Sequence, residues 1–229
     1  MNIVMINGQN HKGSTYNIGK MLADKLDGKI TEFFLPKDFD QFCIGCTTCF
    51  GKDETMCPHY DKLKSITEAL DKADVLIFTS PVYVYHCTGS MKAFLDHYGY
   101  RWMVHRPEES MFAKQAVCIA TAAGAGMKSA IKDMADSMFF WGIAKVYKYG
   151  VAVREVSYEN VSDKIKRKID RKTTVLAQKI QKCNGKVKPG IKTKGFFFIM
   201  RIAQKSGWNK IDSEYWKSKG WVGNKRPWK

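Results

Sequence analysis

Four cysteines stand close together at Cys43, Cys46, Cys49 and Cys57, a C-x2-C-x2-C-x7-C spacing. Thiolates this near can wrap a [4Fe–4S] cluster: the tight first three suit three corners of the cube, and the x7 gap lets the fourth close over it. Gly45 permits a sharp path and Pro58 stiffens the exit. Zinc is the other metal reading, and a loop of reduced thiols packed as small apolar groups is the plain one. A second constellation opens the chain, Asn7-Gly8-Gln9-Asn10-His11-Lys12-Gly13-Ser14-Thr15. It follows an apolar run at residues 3–6 and leads into a helical pattern with Ile18, Met21, Leu22 and Leu26 on one side. Ser14 or Thr15 is expected to be the helix N-cap. A strand, a tight loop and a hydroxyl-rich helix start bring N–H donors and a positive dipole end to one point, which suits a phosphate. An ordinary capped turn is the alternative. A third stretch, residues 79–90, is rich in aromatic and hydroxyl groups: Pro81, Val82, Tyr83, Val84 and Tyr85, then His86 and Ser90. A fourth, Thr121 to Gly126, is built from small residues that allow a flat ring or a phosphate near the backbone.

These stretches must be held by regular elements, and the pattern supplies them. Apolar runs at residues 3–6, 29–35, 75–78, 115–120 and 143–153 read as strands. Helical periodicity appears at 61–71, with Leu63, Ile66 and Leu70 inward, at 91–97 behind a Ser90 cap, and at 127–140. It returns at 159–182, with Val161, Ile165, Ile169, Val175 and Ile180 inward. Alternating strands and helices argue a doubly wound parallel α/β sheet with right-handed crossovers. Loops that follow strand ends in such a sheet gather at its ligand edge. The pattern stops at Cys183. Gly185, Pro189, Gly190 and Gly195 mark a linker, and residues 196–203 form an apolar but short segment. Residues 208–229 hold four of the six tryptophans.

At 229 residues, with 45% hydrophobic and 13% aromatic side chains, the chain suits one buried domain with an appendage. No apolar run approaches the roughly 20 residues of a membrane helix. Met1-Asn2 leads straight into a strand, unlike a signal peptide. A cytoplasmic location is expected, with the cysteines as thiols, ligands or redox groups. The net charge is +16, and residues 151–229 carry 21 Lys+Arg against 6 Asp+Glu. The basic character therefore belongs to the C-terminal third. Without an RNP, zinc-finger or helix-turn-helix signature, it does not argue nucleic-acid binding.

Over residues 1–180 the chain resembles the flavodoxin-like NAD(P)H-dependent FMN reductases, and among them the iron–sulfur flavoproteins. Asn7-Gly8 through Gly13-Ser14-Thr15 is similar to that family's FMN-phosphate loop, although Gln9, Asn10 and His11 stand where Ser, Pro and Arg are usual. Ser80-Pro81-Val82-Tyr83, with Ser90, Lys92, Phe94 and Asp96, is similar to its flavin-ring loop, and Thr121 to Gly126 to its third loop. The four cysteines match the motif of the iron–sulfur members. The resemblance implies a five-stranded sheet of order 2-1-3-4-5 in residues 1–183 and a basic, Trp-rich extension in 184–229. It implies FMN held by Gln9, Asn10, His11, Ser14, Thr15, Tyr16, Pro81, Val82, Tyr83, Val84, Tyr85, Thr121, Ala122, Gly124 and Gly126. It implies NAD(P)H as electron donor, a small-molecule or protein acceptor, and a [4Fe–4S] cluster on Cys43, Cys46, Cys49 and Cys57. A homo-dimer or tetramer with flavin at a subunit interface is also implied. An electron carrier without turnover of its own is the alternative function. The extension is expected to pack across a neighbouring subunit or cover the flavin entrance, with peripheral membrane contact as the alternative.

Overall fold

Residues 3–6, 75–80 and 115–121 are buried without interruption, as strands covered on both faces must be. The computed structural model describes residues 1–229 and resolves these runs into a sheet of five parallel strands. The elements are β1 (Asn2–Asn7), α1 (Ser14–Asp24), β2 (Lys29–Phe34), the single turn α2 (Thr48–Gly51), α3 (Tyr60–Lys72) and β3 (Val75–Pro81). Then follow α4 (Gly89–Asp96), β4 (Gln115–Ala122), α5 (Met127–Phe140), β5 (Lys145–Ala152), α6 (Asp163–Cys183), α7 (Ile191–Lys205) and α8 (Lys210–Ser218). The strand order is β2-β1-β3-β4-β5, the flavodoxin-like order.

Period-two alternation decides which face each strand residue supplies. Val4, Ile6, Leu76, Phe78, Ala116 and Cys118 face α3, α4 and α5 through Leu63, Ile66, Phe94, Ile131 and Met134. Ile3, Met5, Val75, Ile77, Val117 and Ile119 face α1 and α6 through Ile18, Leu22, Ile169, Leu176 and Ile180. Each such aliphatic side chain contributes about 1.5–3 kcal/mol on burial. Parallel registers align the strand ends: Asn7 pairs with Thr79, and Pro81 with Thr121. The loops after β1, β3 and β4 therefore meet at one edge.

Three expectations change. On α6 the buried face is Ile169, Thr173, Leu176, Ala177 and Ile180, at three- and four-residue steps, so Val175 lies off the stripe and is exposed. The cap of α4 is Thr88, not Ser90: its extended backbone lets its hydroxyl accept the Met91 N–H at 3.2 Å. Residues 196–203 are not a short isolated segment but part of a 15-residue helix that starts directly after Gly190. The extension docks on its own chain. Phe197, Trp216 and Trp221 bury against Met103 and Phe112, forming a third core apart from the sheet.

Candidate functional site

The loop after β1 reaches α1 through Gly8, whose N–H donates to the Thr79 carbonyl at 2.7 Å. A Cβ on Gly8 would stand 3.0 Å from both that oxygen and the Thr88 hydroxyl, so the close seating depends on glycine. Asn7 ties three strand ends together. Its side-chain carbonyl accepts the Thr79 hydroxyl at 2.9 Å, and its amide donates to the Phe33 carbonyl at 3.2 Å. The N-cap of α1 is Gly13, with no side-chain cap, so neither Ser14 nor Thr15 caps the helix. Ser14 instead points its hydroxyl toward the Glu155 and Val156 carbonyls at 3.4 and 3.5 Å. The Thr15 hydroxyl shares a hydrogen bond with that of Thr121 on β4. The first helical bond is Asn17 N–H to the Gly13 carbonyl, which leaves the N–H groups of Ser14, Thr15 and Tyr16 without a backbone acceptor.

These groups open on a cavity of about 260 Å³ at the C-terminal edge of the sheet. Of the residues singled out in the sequence, Gln9, His11, Ser14, Thr15, Tyr16, Pro81, Val82, Tyr83, Thr121 and Ala122 line it. Asn10, Val84, Tyr85, Gly124 and Gly126 do not. Asn10, Val84, Tyr85 and Gly124 are exposed beside it, and Gly126 is partly buried. The walls also include Val153, Arg154, Glu155 and Val156, which the sequence reading missed. The available signal was topological: the end of a fifth parallel strand must reach the same edge.

The segment after β3 is a tight turn in which Tyr83 and His86 exchange backbone hydrogen bonds of 3.0 Å. Val84 and Tyr85 sit in it at φ 45° and 67°, a left-handed conformation that L side chains resist. Two features hold the strained turn. Gly126 (φ 92°) passes so close that a Cβ there would lie 2.6 Å from Val82 Cγ1 and 3.2 Å from Tyr85 Cα. Asp133 of α5 accepts the Cys87 N–H at 3.1 Å and pairs with His86 Nδ1 at 3.0 Å. Asp133 carried no sequence signal, being one more polar residue on a helix.

The four loop cysteines line a second, smaller cavity of about 60 Å³, together with His59 and His97. Cys43 and Cys46 are exposed, and Cys49 and Cys57 half-buried. Burial, then the charges of Cys57, Cys43 and Cys46, push the Cys49 thiol up to about 11. Hydrogen bonds from the Thr48 hydroxyl and backbone hold Cys46 below the ordinary thiol value. The Cys57, His59 and His97 ligand atoms lie within 4.8 Å of one another, and the two imidazoles are hydrogen-bonded at 2.8 Å. The donor set is sulfur-rich, soft and compact, which fits an iron–sulfur cluster or zinc. Behind the loop, buried Arg106 donates to the Cys49 carbonyl and to Glu54. Its other arm meets Asp212 of α8 at 2.6 Å, and Asp212 also accepts from His105 at 2.7 Å. No residue of 184–229 lines the larger cavity; through Asp212 and Arg106 the extension reaches the cysteine loop instead.

Fold, strand order and ligand edge are those of a flavodoxin-like α/β protein. The sequence model of the NADPH-dependent FMN reductases matches residues 1–157, and the chain belongs to that family; it is an FMN-type oxidoreductase. An iron-sulfur flavoprotein of Archaeoglobus fulgidus is 27% identical over 193 residues, 79% of this chain and 80% of the relative. One from Clostridioides difficile is 31% identical over 144 residues, 58% of this chain and 61% of the relative. Among solved structures, an NAD(P)H:quinone oxidoreductase from Methanothermobacter marburgensis superposes with a TM-score of 0.58 at 12% identity, covering 78% of this chain and 94% of that one. The azoreductase AzrA gives 0.56 at 14% identity, covering 79% and 99%. At these identities the superpositions speak to the fold.

Proposed function

We propose that the larger cavity holds FMN, and that the protein oxidises NAD(P)H and hands the electrons to a small-molecule or protein acceptor. The observation that carries this reading is the uncapped start of α1. Three backbone N–H groups at the positive end of a helix face one cavity without a backbone acceptor, beside the Ser14 and Thr15 hydroxyls. Bound flavin supplies the hydride chemistry, and the chain supplies position and electrostatics. Ser14, Thr15 and the amides of residues 14–16 would hold the phosphate, with Arg154 adding positive charge at the wall. Pro81, Val82, Tyr83, Thr121 and Ala122 would bound the ring, and the Tyr83–His86 turn would set its outer rim. Titration of flavin-free protein with FMN, followed by steady NAD(P)H oxidation with an artificial acceptor, tests both parts. Tight binding with turnover is expected. Binding without turnover would leave an electron carrier, and no binding at micromolar FMN would remove the reading.

We further propose that Cys43, Cys46, Cys49 and Cys57 hold a [4Fe–4S] cluster. Support comes from their convergence on one small cavity and from the names of the two relatives. Iron and sulfide analysis after anaerobic reconstitution checks it. About four irons per chain are expected for such a cluster, whereas stoichiometric zinc with no sulfide would replace the cluster with a structural metal.

A further inference from the structure

The helix α7 is apolar on two sides. Its inner side buries Thr193, Phe197 and Gln204 against the domain. Its outer side presents Ile191 (91% exposed), Phe198 (51%) and Ile202 (54%), with Ile199 beside them and Trp208 just beyond the helix end. Residues 191, 195, 198 and 202 follow one another at three- and four-residue steps, so they form one stripe along the helix. Gly195 lies in that stripe with open space above it. Basic side chains surround the stripe: Lys205 on the helix, Lys188 before it and Lys210 after it, while Lys192 and Lys194 lie over the Phe139 and Trp228 rings and Arg201 donates to the Trp221 and Gly223 carbonyls. Residues 184–229 carry 12 Lys+Arg and only two carboxylates, Asp212 and Glu214. Asp212 is buried and paired with Arg106 and His105, so Glu214 is the segment's one acidic side chain at the surface.

We propose that this outer face of α7 docks the protein on an anionic membrane surface. The helix would lie in the plane of the headgroups, with Phe198, Ile202 and Trp208 reaching the acyl boundary. The lysines would spread outward to lipid phosphates. Charge selects this occupant. A second copy packed on the same face would oppose lysines to lysines. Nucleic acid would satisfy the lysines and leave the apolar stripe in water. No helix is long and apolar enough to cross a membrane, so the contact is peripheral.

The test is sedimentation of the FMN-loaded full chain with vesicles of phosphatidylcholine alone or with about 30% phosphatidylglycerol, at low and high salt. The comparison is the F198S/I202S double variant, which changes neither net charge nor the proposed flavin cavity. Wild type is expected to bind the anionic vesicles at least about ten-fold better than the neutral ones, and to be released by salt. The double variant is expected to lose at least about ten-fold in binding while NAD(P)H oxidation in solution stays unchanged. Equal binding to both vesicle types, or undiminished binding by the variant, would overturn the proposal. So would a wild type that ignores vesicles but falls in mass on F198S/I202S substitution, which would make the face a contact between copies.

Discussion

Cys46 and Cys49 lie three positions apart, yet their surroundings pull their thiols in opposite directions. Cys46 is exposed and donated to by Thr48, so its thiolate forms below the ordinary thiol range. Cys49 is half-buried among other thiols and stays protonated to about 11. In metal-free protein, iodoacetamide mapping by mass spectrometry should label Cys46 first, with Cys49 labelling appreciably only toward pH 11. A raised folded-state value also couples to stability. The Cys49 contribution is intact below the ordinary value of 9.0 and is lost as pH rises through about 11. Chemical denaturation of the metal-free protein across that window should show a falling midpoint, and a flat profile would contradict the assignment. At the α1 start, Ser14→Ala with Thr15→Ala removes two hydroxyls, each worth roughly 1.5–3 kcal/mol to a charged partner. FMN titration should show binding weakened at least about ten-fold, more than the packing loss of two oxygens explains. The hydroxyls were legible in the sequence. Their directions were not, because they depend on Glu155 and Thr121, more than 100 residues away.

At the scale of elements, strands and helices were largely legible, since uninterrupted burial and helical spacing leave direct marks on sequence. The turn after β3 was legible as a loop at a strand end but not as a strained one. Nothing in Val84-Tyr85 announces a left-handed backbone, which β-branched and aromatic side chains disfavour. The strain is held from outside, by Gly126 and Asp133. Gly126→Ala should therefore act through the turn. Its Cβ would press on Val82 and Tyr85, and its φ of 92° would itself be strained. A stability loss of about 1–3 kcal/mol by thermal or urea unfolding is expected, together with weaker FMN binding. Weakened stability with unchanged FMN affinity would detach the turn from the flavin.

At the scale of the molecule, the sheet and its two helical layers explain residues 1–183, and a separate aromatic core explains the rest. That second core was illegible because its partners lie in an irregular stretch, residues 103–112, with no periodicity to betray a buried face. Polar anchors hid it further. Gln204, Asp212 and Ser213 are all buried, and each would ordinarily be assigned to a surface. Gln204 donates to the Val104 carbonyl at 2.7 Å, and Trp216 to that of His105 at 2.6 Å. Asp212→Ala leaves Arg106 buried without its main charge partner and should cost about 3–5 kcal/mol. If the extension supports the cysteine loop, the same variant should also lose iron faster to a chelator, and Asp212→Asn should lie between it and wild type. A destabilised variant that retains iron normally would separate the two roles.

The Asp212–Arg106–Cys49 connection also imposes an order in time. The cysteine loop leaves the ribosome early, whereas the carboxylate that steadies it is made more than 150 residues later. Throughout that interval the thiols hang on an unbraced loop. Loading of the proposed metal site is therefore expected of the completed chain. Ribosome-stalled chains ending before α8 should take up iron poorly in vitro, and full-length released chains readily.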